Sequence, residues 1–153
     1  HADGTGLAFN GDTAAANALD DYEEGTWTPG IEIGGSTSGI AYSSQSGYYT
    51  KVGRIINLSC LIQLSNKGSN SGNVFVTGLP FAPVNAAPAR GSGSVGYYQG
   101  VSGLEFPILI LIEQNMQKFQ LRQSQSTAAA AMDNSNISNS FGMFFSLAYI
   151  TAS

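Results

Sequence analysis

Ten carboxylates, one histidine and one cysteine are the side chains of this sequence with the plainest chemistry. Two nearby carboxylates can act as acid and base in glycoside hydrolysis, and four acids gather at Asp20, Asp21, Glu23 and Glu24. The others, Asp3, Asp12, Glu32, Glu105, Glu113 and Asp133, are scattered, and only Glu113 stands beside a strong strand pattern. A small glycan hydrolase is therefore the weakest of three functional readings. The only His is His1, at the terminus, which removes Ser-His-Asp chemistry. The Asp20 to Glu24 cluster offers oxygens that suit Ca²⁺ but lacks a D-x-D-x-D-G loop, so no metal and no cofactor is expected. The G-x-G spacings at Gly4 to Gly6 and Gly91 to Gly93 do not continue into a dinucleotide fingerprint and read as turn glycines. Cys60 lies in an apolar alternation without a cationic neighbour and reads as a small buried hydrophobe. A single cysteine makes no intramolecular disulfide.

The pattern best suited to holding a ligand is Tyr97-Tyr98-Gln99, inside a stretch rich in Gly, Ser and Gln. Neutral glycans are held by aromatic faces beside amides and hydroxyls. Adjacent tyrosines in a strand point to opposite faces, so at most one belongs to a core and the other is free for a ligand or a subunit contact. The plainer alternative is one packing and one surface tyrosine without a ligand. Polar connections at Asn66 to Asn73, Ala82 to Ser92 and Ser124 to Asn139 are the natural places for receptor contact.

The elements that must position these groups follow from composition and periodicity. At 153 residues and 15.9 kDa the chain suits one domain. Only 10% of residues are charged and 19 are Gly, against averages of about 25% and about 7%, so Ser, Asn, Gln and Thr must keep it soluble. A hydrophobic fraction of 42% argues against disorder. With six scattered Lys and Arg, a net charge of -4 and a pI near 4.6, no basic footprint exists for nucleic acid or an anionic membrane. The longest apolar run, Phe106 to Ile112, contains Pro107 and is too short to span a bilayer. The start at His1, without Met or a signal segment, reads as a fragment of a longer chain or a trimmed one.

Residues 1–29 are sparse in apolar side chains and read as an arm, with a short helix over Ala14 to Leu19 capped by Asp12 or Thr13, or a loop, as equal options. From residue 30 to 153 a period of two takes over. Ile56, Leu58, Cys60, Ile62 and Leu64 alternate with polar positions and predict a strand with one face on a core. Tyr48 to Lys51 precedes it across Val52-Gly53-Arg54, a tight hairpin. Asn73 to Leu79, Ser94 to Gln99 and Met116 to Gln123 are strand-length, the last with Phe119 and Leu121 on one face. Phe141, Met143, Phe145, Leu147 and Tyr149 mark a final strand, whose other face carries Gly142, Ser146 and Ala148. Phe106 to Ile112 is apolar on both faces and calls for cover by a loop, the arm or a neighbouring subunit. No long helix is indicated. The fold class expected is all-β, an antiparallel β-sandwich of jelly-roll type, with a β-helix as the weaker alternative.

The string LDDYEEGTWTP at Leu19 to Pro29, preceded by GLAF at Gly6 to Phe9 and followed by GYYTKVGR at Gly47 to Arg54 and TGLPF at Thr77 to Phe81, resembles a C-terminal module of tail fibre and tailspike proteins of tailed bacteriophages. The match covers roughly the first half of the chain; from Ala82 onward no pattern is shared. The resemblance implies a homotrimer at the distal end of a virion tail fibre or tailspike, its arm joining a longer shaft. Joined to the tyrosine pattern read above, the expected function is a non-catalytic domain adhering to a bacterial surface polysaccharide, capsule or lipopolysaccharide, with Tyr97, Tyr98 and Gln99 as the candidate contacts. The alternative is a structural module that registers the trimer without receptor contact. Trp27, Tyr22, Ile110 and Leu111 are the candidates for arm and subunit packing, with Leu7, Phe9 and Leu19 along the axis. Like charges repel near a threefold axis, so Asp20, Asp21, Glu23 and Glu24 are expected to face outward or to pair with Arg54 or Lys51.

Overall fold

The computed structural model describes residues 22–86, 91–104 and 107–152. The possible helix at Ala14 to Leu19, the axial contacts of Leu7, Phe9 and Leu19, and Asp20, Asp21, Glu105 and Phe106 lie outside them. Ten strands form in chain order: β1 (Tyr22–Trp27), β2 (Gly30–Ile33), β3 (Ile40–Val52), β4 (Ile55–Lys67), β5 (Val74–Thr77), β6 (Ser92–Val101), β7 (Ile108–Ile112), β8 (Lys118–Ser124), β9 (Ala129–Ala131) and β10 (Ile137–Ile150). Among the described residues no helix is long and apolar enough to cross a membrane.

Every pairing is antiparallel. One sheet runs β1-β3-β4-β10-β6; the other runs β2-β5-β8-β7, with β9 on β8. The all-β, two-sheet expectation therefore holds. The expected alternation at Ile56 to Leu64 places all five apolar side chains in the core, together with Phe141, Met143, Phe145, Leu147 and Tyr149 of the neighbouring β10. From the second sheet come Ile31, Ile33, Val74, Val76, Ile112, Phe119 and Leu121. The sheets meet edge-to-face at Phe119 and Phe145, centroids 5.1 Å apart, a favoured aromatic geometry. Cys60 is buried there as a free thiol, and desolvation pushes its pKa far up.

Three expectations change. The arm read over residues 1–29 ends, from Tyr22 onward, in a strand: β1 pairs along its whole length with β3. Its inward positions carry only one large apolar side chain, Trp27, which hid the strand among carboxylates. The polar connection Ser124 to Asn139 contains β9 and the buried Met132. Of the apolar run Phe106 to Ile112, Ile108–Ile112 forms β7 with Ile108, Ile110 and Ile112 in the core, while Leu109 remains 40% exposed and Leu111 half-buried. Among the described residues no strand layer covers that outer row; its cross-strand neighbours are Arg122 and Gln120. The two-residue turn Gly53-Arg54 closes β3 onto β4 as expected, with Gly53 at φ 56°.

Candidate functional site

The outer faces of the two sheets differ in kind. On the second sheet Lys118 Nζ pairs with Glu32 Oε1 at 2.8 Å and stands 4.7 Å over the Phe75 ring. Arg122 donates to Gln120 Oε1 at 2.7 Å and to the Ala129 carbonyl. That face is closed by its own polar contacts. The outer face of the first sheet is open, and its cross-strand register arranges it in rows.

At the end remote from the turn Gly53-Arg54, Gln63, Gly142 and Gln99 share a row. The next row is Leu61, Phe144 and Tyr97. Then follow two rows of mostly small side chains: Thr26, Ser59, Ser146 and Ser94 with the exposed Tyr48 among them, and beyond them Thr50, Asn57, Ala148 and Ser92 with Glu24 at the β1 edge. The last row, beside the turn, is Tyr22, Val52, Ile55 and Ile150. A register shift between Phe144 and Phe145 leaves Gly96 as an extra residue in β6, so Tyr97 and Ser94 point the same way although three positions apart. Glu24 is the one charged side chain in these five rows.

The polar rows form a shallow trough across all five strands, a chain of open grooves of about 430, 270 and 390 Å³. Four inter-strand spacings make it roughly 19 Å long. Hydroxyls of Thr26, Thr50, Ser59, Ser94 and Ser146 and the Asn57 amide line it; Ser94 and Ser146 stand 3.3 Å apart. Along its side remote from the turn, Tyr97 is 50% and Phe144 47% exposed. The Tyr97 hydroxyl donates to Gln99 Oε1 at 2.8 Å, which fixes that amide and turns its N–H groups toward neighbours. Gly142 leaves a notch over which the Gln63 and Gln99 side chains lie: a Cβ there would meet Gln63 Cγ at 3.0 Å and Gln99 Nε2 at 3.2 Å.

Of the residues read from sequence, the structure brings Tyr97 and Gln99 together with Phe144 and Gln63, which sequence reasoning missed. Phe144 was legible as the one large side chain between Gly142 and Ala148 on that face of β10. Tyr98 lies on the opposite side of β6, opposite the buried Met143, yet is 48% exposed. At most one of the two tyrosines was expected in a core, and neither is there: β6 is an edge strand and both rings reach solvent, so the plainer alternative of one packing and one surface tyrosine does not hold. Trp27 is buried, its Nε1–H donating to the Ser59 carbonyl at 3.4 Å, the anchor expected. Tyr22 is exposed, Ile110 belongs to the core of its own chain and Leu111 to the half-screened outer row of β7. Glu23 and Glu24 are both exposed to solvent, on opposite faces of β1, the first accepting from Tyr49 at 2.5 Å and the second from Tyr22 at 2.8 Å; both phenol pKa values rise in consequence. The connection Asn66 to Asn73, one of the polar stretches read as natural places for receptor contact, is ordered by its own hydrogen bonds: Asn70 donates to the Ser38 carbonyl, Gly72 N–H to Asn134 Oδ1, and Lys67 Nζ to the Asn134 and Ile137 carbonyls. Among the described residues no group of three His, Cys, Asp or Glu is placed to hold a metal ion.

No known family matches this sequence, and no curated protein does. Among solved structures it is similar to the crystal structure of Dettilon tailspike protein (gp208), with a TM-score of 0.70 and 15% identity over 84% of this chain. The fold is that of part of a phage tailspike. This chain spans 24% of the length of that tailspike, and the likeness concerns the two-sheet architecture.

Proposed function

We propose that this chain is a phage virion component, the homotrimeric tip domain at the distal end of a tail fibre or tailspike, and that it adheres to a bacterial surface polysaccharide without acting on it chemically. The observation that carries the reading is the outer face of the first sheet, where the Tyr97 and Phe144 rings flank a trough of hydroxyls and amides whose one charge is Glu24 at the β1 end. Sugar rings present C–H faces to aromatic rings and hydroxyls to amides and hydroxyls, and binding them there desolvates no charge beyond Glu24. The tailspike fold supports the setting. The carboxylates support the absence of catalysis: Glu23 and Glu24 are successive residues of β1 and point to opposite faces, whereas glycoside hydrolysis needs two carboxyl groups flanking one bond. Glu32 is engaged by Lys118.

The test is binding of the purified chain to immobilised lipopolysaccharides and capsular polysaccharides from a panel of host bacteria. Tyr97→Ala with Phe144→Ala should weaken the interaction at least tenfold, about 1.4 kcal/mol, with the circular dichroism spectrum unchanged. Full binding by that double variant removes the site. If the wild-type chain binds none of the panel while its deletion leaves fibres misassembled, the structural registration module is the function. That second reading has its own observation in the apolar row beside the Gly53-Arg54 turn.

A further inference from the structure

We propose that the trough takes an uncharged polysaccharide and that Glu24 is the residue that turns acidic ones away. The inference rests on the proposed adhesion and narrows it to one class of glycan. Five of the six Lys and Arg are described, and none lines the trough. Lys118 and Arg122 stand on the outer face of the second sheet, the first paired with Glu32 and the second donating to Gln120 and the Ala129 carbonyl. Lys67 Nζ donates to the Asn134 and Ile137 carbonyls, and Arg54 Nε to the Thr151 carbonyl. Lys51 is buried on the inner side of β3, its Nζ 5.6 Å from the centre of the Phe81 ring. Arg90 lies outside the described residues. A uronate, sialate or phosphate laid in the trough gives up water and, among the described residues, meets no cation in return.

Glu24 adds repulsion to that missing attraction. It lines the β1 end of the trough beside Thr26 and Thr50, and the Tyr22 hydroxyl, two residues away on the same face of β1, donates to its carboxylate at 2.8 Å. That bond holds the charge on the outer face of the sheet. A charge in water is felt over about 10 Å at 0.1 M salt, which is about half of a trough roughly 19 Å long. An acidic polysaccharide carries its charge in every repeat unit, so a chain lying across the strands brings an anionic group within that reach. The rest of the lining is hydroxyl and amide, which exchange hydrogen bonds with sugar hydroxyls much as water does. Discrimination between two ligands is a difference of affinities, and a repulsive group supplies it as well as an attractive one.

The purified 153-residue chain is first ranked on immobilised host polysaccharides of known repeat unit. Those it binds should be uncharged, with affinities that change less than about twofold from about 20 mM to about 1 M NaCl, over which the screening length falls from roughly 20 Å to roughly 3 Å. Equal or tighter binding of polymers that carry uronate, sialate or phosphate overturns the inference and leaves adhesion standing; binding to no polymer overturns both. The best uncharged binder is then esterified sparsely, one portion with butyryl groups and another, to the same degree, with succinyl groups, so that the two copies differ in charge at similar bulk. At low salt the wild type should hold the butyrylated copy about threefold more tightly, the size of one like-charge pair a few ångströms apart in water. Glu24→Gln keeps an acceptor for the Tyr22 hydroxyl and should bring that ratio close to one, as should Ser94→Lys, which sets a cation at the β6 end of the trough. Glu32→Gln, on the other sheet, removes the same charge and should leave the ratio at its wild-type value. A wild-type ratio of one overturns the role of Glu24, as does a ratio that Glu24→Gln and Ser94→Lys leave unmoved or that Glu32→Gln moves as far.

Discussion

Trp27 can be dislodged without touching it. Its cross-strand partner is Gly47, and a Cβ at position 47 would lie 2.6 Å from Trp27 Cε2 and 2.7 Å from Cδ1, well inside the roughly 3.5 Å at which carbon atoms make their best contact. The ring of a Gly47→Ala variant must therefore shift by on the order of 1 Å, against a core that holds it buried. Overpacking of this kind costs about 1–3 kcal/mol. Replacing Gly in a strand returns about 0.5–1 kcal/mol through the unfolded chain, so the net loss is about 1–2 kcal/mol. The ceiling is complete expulsion of the indole, about 3–5 kcal/mol. Because the chain has one Trp, its fluorescence reports this site alone, and urea unfolding followed by that emission gives both numbers. With a slope of about 2 kcal/mol/M, the midpoint should fall by roughly 0.5–1 M and the native emission should move to the red. Gly53→Ala is the control: at φ 56° with open space around it, it strains the backbone by about 1–3 kcal/mol and leaves the emission unchanged. A Gly47→Ala variant with wild-type midpoint and wild-type emission refutes the packing argument.

The remaining predictions concern the core. Burial pushes the Tyr149 phenol up to about 12, and its hydroxyl donates to the Phe81 carbonyl. The unfolded chain releases that proton near pH 10, so this group's share of stability is complete below pH 10 and is lost as pH rises from 10 to about 12; Tyr149→Phe should flatten that part of the alkaline limb in urea titrations, and an unchanged limb contradicts it. The Cys60 thiol should resist aromatic disulfide reagents in the native protein and react only as the chain unfolds, so fast stoichiometric labelling of the native state would place it at the surface. Phe145→Ala removes the ring that meets Phe119 and should cost about 3–5 kcal/mol, a large part of the 5–15 kcal/mol typical of a domain, read as a lowered urea midpoint; a loss under about 1 kcal/mol would mean the site collapses around the gap.

What could be read from the sequence was the inside of the sandwich. In β4 and β10 every second residue is large and apolar, and one buried face is what that pattern encodes. The strands it hid are those whose inward residues are small or polar. Along β1 the inward positions are Glu23, Gly25 and Trp27, and β3 contributes Gln45, Gly47, Tyr49 and Lys51, so period two is present without hydrophobic contrast. β9 is three alanines, which fit a strand, a helix or a loop equally well. Of the candidate site, Tyr97 and Gln99 were found from their types, but the row that joins them to Phe144 and Gln63 depends on register and on the extra residue Gly96, neither of which is local information. The exposure of Tyr98 was hidden for the same reason: alternation says which way a side chain points, and only topology says whether anything lies there.

The rows also order the molecule along its strands, with the junction to residues 1–21 at the Tyr22 end and the Tyr97, Phe144 and Gln99 cluster at the other. A pull between an attachment at the first and a hold at the second runs parallel to β1, β3, β4, β10 and β6. Ladder hydrogen bonds lie across that direction, so the load falls on them in shear, all bonds of a strand pair sharing it at once, and not one after another as in peeling. A domain held this way yields only when a whole pair slides, and single-molecule pulling from the Tyr22 end against a tether near Gln99 should meet far more resistance than pulling the Gly53-Arg54 turn sideways away from its neighbours.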